Sequence, residues 1–368
     1  MEVNKDPTHA MRAKNDPLQA LRQTEISTFD LRLIKKSDGA IDVQFKLNGK
    51  QKKIEEMDKD TLLLSAHIAL ARAANIIEVM DTTKQYKKAA AQNQKEIVIA
   101  IYQKTLSMFD RVLEFDNKDI DAKIGHNVSK FYIADLNSDQ MPEMDLLNEG
   151  ISIYKDALEI RDPATSTNKD ILSKYCMMLG KDAIALFDRV LKRNPVNMEA
   201  MTWKSKALYS CREKSAAMKL VNIILSNLPQ NIDALEVKAN IELYSGGIGD
   251  ATNTVKRLLD ADPNNRSTLI MEGDLLRIDG QDRKAFEIFR KVQNADTDEK
   301  RAATDIKWRI ATVLEEMENA SPHKKLGRGD EDDEDEEMES GNEEGTELLL
   351  NQIVGLFRKE PESKSKLN

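Results

Sequence analysis

Four histidines, His9, His67, His126 and His323, are scattered along the 368 residues, and none sits with a cysteine or a second histidine at metal-ligand spacing. Cys176 and Cys211 stand 35 residues apart inside helical pattern, so they form neither a zinc knuckle nor a disulfide framework. No glycine-rich loop follows a strand, and neither a Walker sequence nor a Gly-x-Ser-x-Gly elbow occurs. Carboxylates are plentiful, but nothing orients any two of them as acid and base. These absences predict no catalytic residue, no metal and no cofactor. The chemistry that remains is docking chemistry. Asp6-Pro7-Thr8-His9-Ala10-Met11-Arg12 is echoed by Asp16-Pro17-Leu18-Gln19-Ala20-Leu21-Arg22, two capped helix starts that each end on an arginine. Arg12 and Arg22 are therefore candidate protein-binding residues on a polar arm, residues 1–27. Far downstream, Asp330 to Glu344 carries eleven acidic residues and no basic one.

Charge follows from that tract. The chain has 64 acidic and 55 basic residues and a net charge of −9, and outside Asp330–Glu344 the balance is close to neutral. A neutral body argues against nucleic acid as a ligand. No run approaches the ~20 apolar residues of a membrane span. No signal peptide is read behind Met1, and two helix-embedded thiols suit a reducing compartment, so the expected location is cytoplasmic.

The elements that would carry the docking residues are written as a period. Ala183, Ala217, Ala251 and Ala285 recur every 34 residues. Four residues after each stands a bulky apolar side chain: Phe187, Val221, Val255 and Phe289. Pro195, Pro229 and Pro263 keep the same step. Apolar residues at i, i+4 and i+8 make one helix face, alanine permits close approach of a neighbour, and proline ends the helix. Gly180, Gly246-Gly247 and Gly280 precede the alanines and are expected to end the preceding helices. An earlier copy reads through Thr105 and Phe109, and a degenerate one through Tyr154 and Ala157, with extra residues near Asn137–Pro142. A first helix over 301–317 would pair with a last one over 347–359, making the acidic tract an insertion in their turn.

Helix, turn, helix and proline at 34 residues resembles the tetratricopeptide repeat family, the match resting on the second helix and the period. The resemblance implies an all-α solenoid of tetratricopeptide-like helical hairpins. It is expected over residues 58–361, with an acidic disordered insertion at 320–345. It also implies partner proteins held in a groove lined by first helices. The repeat register places Trp203, Lys206, Glu236, Asn240, Ile270 and Asp274 near that groove. Family members that bind acidic chaperone tails carry a Lys-Asn, Asn, Lys-Arg set. The matching faces here offer Thr202 and Lys206, Val237, then Ser267 and Met271, which argues against that ligand.

One stretch breaks the helical period. In residues 28–49, Phe29, Leu31 and Leu33, then Ile41, Val43, Phe45 and Leu47, alternate with polar residues around Asp38-Gly39. That is a β-hairpin pattern, and a lone hairpin must pack on something: its own helices, or another chain. The function expected is a non-catalytic scaffold or adaptor whose partners are other proteins, including a second copy of itself. The alternative is an assembly factor for a basic protein, such as a histone-like or ribosomal one, held by the acidic tract.

Overall fold

The computed structural model describes residues 29–37, 40–47, 49–82, 88–160, 169–295 and 303–320. Arg12, Arg22, the acidic tract and the helix expected over 347–359 lie outside the described residues.

The N-terminal pattern folds as read, with one addition. Strands β1 (Phe29–Lys35) and β2 (Ile41–Leu47) pair antiparallel with Phe29 opposite Leu47 and Lys35 opposite Ile41. A short β3 (Lys50–Lys52) pairs with the end of β2, giving the order β1-β2-β3. Gly49, at φ 78°, makes the turn between β2 and β3. Alternation puts Leu31, Val43, Phe45 and Leu47 on one buried face. That face packs on the chain's own helices, β2 lying against α2.

Among the described residues twelve α-helices follow. They are α1 (Lys59–Thr82), α2 (Lys88–Phe115), α3 (Ile120–Leu136), α4 (Glu143–Ile160), α5 (Lys169–Arg193) and α6 (Met198–Ser210), then α7 (Lys214–Asn227), α8 (Ile232–Leu243), α9 (Ile248–Ala261), α10 (Arg266–Ile278), α11 (Asp282–Ala295) and α12 (Ala303–Ala320). Chain contacts divide into two compact units, one reaching Thr254 and one starting at Val255. Within the first, each helix from α1 to α8 packs on the next, and alternate helices such as α1 and α3, or α6 and α8, also touch. In the second, α10 packs on α11 and α11 on α12. Stacked helical hairpins of this kind are like those of tetratricopeptide solenoids, and the described residues form an all-α fold with a small N-terminal sheet.

The 34-residue step is visible in side-chain environment. Ala183, Ala217, Ala251 and Ala285 are all fully buried, as are Phe187, Val221 and Phe289, with Val255 nearly so. In the earlier copy Thr105 holds the alanine place and is also fully buried. Its hydroxyl donates to the Ile101 carbonyl at 2.7 Å, which satisfies the polar atom. The prolines fall two residues after the ends of α5, α7 and α9.

Helix starts follow the same step through residues the spacing of alanines does not single out. Asn197, Asn231 and Asn265 cap α6, α8 and α10, each side-chain oxygen accepting from a backbone N–H three residues on, at 2.8 to 3.0 Å. Asp119 does the same for α3. Helix ends repeat too. Arg212, Gly246 and Gly280 are left-handed, at φ 66°, 84° and 73°. The N–H one residue further donates back five residues: Glu213 to Leu208, Gly247 to Glu242 and Gln281 to Leu276.

Gly180 departs from the expectation. It does not end a helix but lies inside α5, which runs unbroken from Lys169 to Arg193. Its missing side chain serves packing: a Cβ there would stand 2.7 Å from the Cys211 sulfur. Close approach by a neighbour, rather than a left-handed turn, explains the glycine.

Candidate functional site

Trp203 and Lys206 stand three residues apart on α6, and Glu236 and Asn240 four apart on α8, so each pair shares a helix face. The two helices α6 and α8 touch. The Lys206 ammonium bridges to Asp233, in the first turn of α8. Trp203 is half-buried and is the hub of the cluster. Tyr154 of α4 meets its ring edge-on, with centroids 6.2 Å apart at 70°. Two ammonium groups face the ring: Lys206 at 5.0 Å and Lys155 of α4 at 5.4 Å from its centroid. Cation–π contacts of this kind contribute roughly 0.5–1 kcal/mol where water has access. They also set two long lysine side chains beside the same ring.

Electrostatics complete the surface. Burial pushes the Glu236 carboxyl above its ordinary range, Lys206 opposing and Asp233 adding to the rise. Asn240 donates its side-chain amide to the Glu236 backbone carbonyl at 2.9 Å, which holds it flat along α8. The result is an aromatic plate framed by two lysines and bordered by two carboxylates. Such a surface offers an aromatic face for stacking and charged groups for hydrogen bonds.

The second unit treats its two candidates differently. Ile270 is buried among Phe289, Ile306 and Ile310. Asp274 takes a two-pronged bond from Arg309 of α12, Nε to Oδ1 at 2.9 Å and Nη2 to Oδ2 at 3.0 Å. Both side chains are nearly closed to water, Arg309 at 13% exposure and Asp274 at 10%. Arg277 binds Glu316 at 2.9 Å alongside. The α10 face that the register assigns to a groove is thus engaged by α12 of the same unit, and Ile270 and Asp274 hold structure there. Arg12 and Arg22 lie outside the described residues.

Two members of the cluster are not found by the repeat register. Lys155 falls next to Tyr154, whose place in the register is that of a bulky packing residue. Asp233 sits three residues before Glu236 and so shares its helix face, a signal the sequence does carry. Among the described residues, no group of three or more His, Cys, Asp or Glu is placed to hold a metal. Several titratable groups are in structural pairs, such as Lys59 with Asp116 and Asp119, each at 2.9 Å.

No protein-family model matches this sequence, and no curated protein matches it in sequence. Among solved structures, a thermophilic TPR protein of Thermus thermophilus is similar at 14% identity over 58% of this chain and 99% of its own, with a TM-score of 0.37. A tetratricopeptide repeat protein of Parabacteroides merdae is similar at 13% identity over 70% of this chain and 98% of its own, with a TM-score of 0.34. Yeast Tom70 is similar at 12% identity over 72% of this chain and 68% of its own, with a TM-score of 0.26.

Proposed function

We propose that this chain, a helical-repeat protein of tetratricopeptide architecture, is a non-catalytic scaffold that holds a partner protein on the α6–α8 face. The observation that carries the reading is Trp203 with Lys155 and Lys206 set over its ring. Stacked hairpins supply a rigid support, so little ordering entropy is lost at the surface on binding. Large aromatics beside preordered charges are the side chains on which binding energy concentrates. Both cysteines are thiols, in keeping with a reducing, cytoplasmic setting. Among the described residues, no helix is long and apolar enough to cross a membrane.

Affinity capture with full-length protein, read by mass spectrometry, tests this. Trp203→Ala is expected to lose a defined set of partners by tenfold or more, since central aromatic truncations cost about 2 kcal/mol or more. Retention of every partner contradicts the reading. A second reading is supported by the acidic tract Asp330–Glu344: a polyanion that holds a basic protein during assembly. Deleting that tract separates the two, because the groove reading predicts unchanged capture and the polyanion reading predicts loss.

A further inference from the structure

We propose that β1 is the interface for a second copy of this chain, the two β1 strands pairing antiparallel about a two-fold axis at Leu31. Backbone hydrogen bonds define the edge. Lys36 and Ala40 stand directly opposite each other in the register of β1 and β2, and the Lys36 N–H donates to the Ala40 carbonyl at 2.8 Å. A bond between directly opposite residues marks a hydrogen-bonded pair, and such pairs alternate along an antiparallel ladder. The even residues of β1, Asp30, Arg32 and Ile34, therefore bond to β2. The odd residues, Phe29, Leu31, Leu33 and Lys35, turn their N–H and C=O outward. Among the described residues the sheet order leaves that outer edge of β1 without a neighbouring strand. A seven-residue edge of this kind is a template for another strand.

Side chains choose the occupant and the register. Outward-turned odd residues must face odd residues of the incoming strand. A two-fold axis at Leu31 sets Leu31 against Leu31 of the other copy and Phe29 against its Leu33, both pairs hydrogen-bonded and apolar by residue type. Leu33, 40% exposed in the single chain, would gain that cover. On the opposite face the same register sets Asp30 against Arg32 of the other copy, twice. Asp30 and Arg32 are 51% and 57% exposed and at present bond each other, at 3.0 Å. A two-fold at Asp30 or at Arg32 places like charges opposite each other, and one at Leu33 leaves Arg32 against Ile34. Only the Leu31 axis matches charge with charge and apolar with apolar. The two three-stranded sheets would then run together as one six-stranded sheet with an isologous seam.

Sedimentation equilibrium of the full chain is the test, with a dimer expected. Asp30→Arg puts Arg against Arg at both ends of the seam, and Arg32→Asp puts Asp against Asp. Each is expected to raise the dimer Kd about tenfold or more. Both positions are exposed, and circular dichroism should show both variants folded. An equimolar mixture of the two restores opposite charges at every position and should form a heterodimer with a Kd within about threefold of wild type. A wild-type chain that stays monomeric overturns the proposal. So does a dimer indifferent to both substitutions, or a mixture that fails to recover association. Trp203 plays no part in this seam, so a monomeric chain would leave the scaffold reading standing.

Discussion

Arg212 holds a backbone conformation that its two counterparts reserve for glycine. At φ 66° an L side chain crowds the carbonyl oxygen, at a cost of roughly 1–2 kcal/mol, while Gly246 and Gly280 avoid it at the same place one and two periods on. Arg212→Gly is therefore expected to raise unfolding stability by about 1 kcal/mol in a denaturant titration. His67 shows the converse, a residue whose surroundings work against its charge. Its ring packs edge-on against Phe109, centroids 5.5 Å apart, and burial holds its pKa below 6.5, with Asp121 and Asp119 opposing. The unfolded chain then binds a proton more readily than the folded one, so stability is retained above about pH 6.5 and lost as pH falls towards the folded value. Denaturant titrations from about pH 7.5 down to about pH 5 should show His67→Gln losing less stability than wild type. An equal loss would place the acid sensitivity elsewhere.

At the scale of the element, the alanines decide how closely hairpins stack. Ala217 is fully buried, and a leucine there must displace neighbours in the cluster formed with Val221, Ile224, Ala234 and Val237. Ala217→Leu is expected to cost about 1–3 kcal/mol in thermal or chemical unfolding. Gly273 in α10 makes the same point, since a Cβ there would collide with the Phe289 ring. Most of this layer was legible in the sequence because one side chain at each position answers to one local demand. Alanine, bulky apolar and proline recur at a fixed step, and alternation marks β1 and β2. Other features have weaker local signals. The polar β3, Lys50-Gln51-Lys52, has no alternation to announce it. Gly180 serves packing against Cys211, and a glycine in a sequence does not say whether it is needed for its φ or for its lack of a side chain. The capping asparagines do carry a readable signal, two residues after each proline, which the alanine register leaves unused.

For the whole molecule, the repeat register places residues along single helices, and the candidate site was only partly legible for that reason. Spacing along one helix placed Trp203 with Lys206 and Glu236 with Asn240. Which faces remain open depends on contacts between distant segments. Arg309 closes over Asp274 from 35 residues away, and Lys155 reaches Trp203 from another hairpin. Neither relation follows from local pattern. The proposed function requires a partner protein to lie over the Trp203 plate. Its most direct measurement is the acetylation rate of individual lysines, read by mass spectrometry on the free chain and on the chain with its captured partner. Lys155 and Lys206 are expected to slow together on binding while Lys219 and Lys256 keep their rates. Protection confined to other lysines, with Lys155 and Lys206 unchanged, would contradict it.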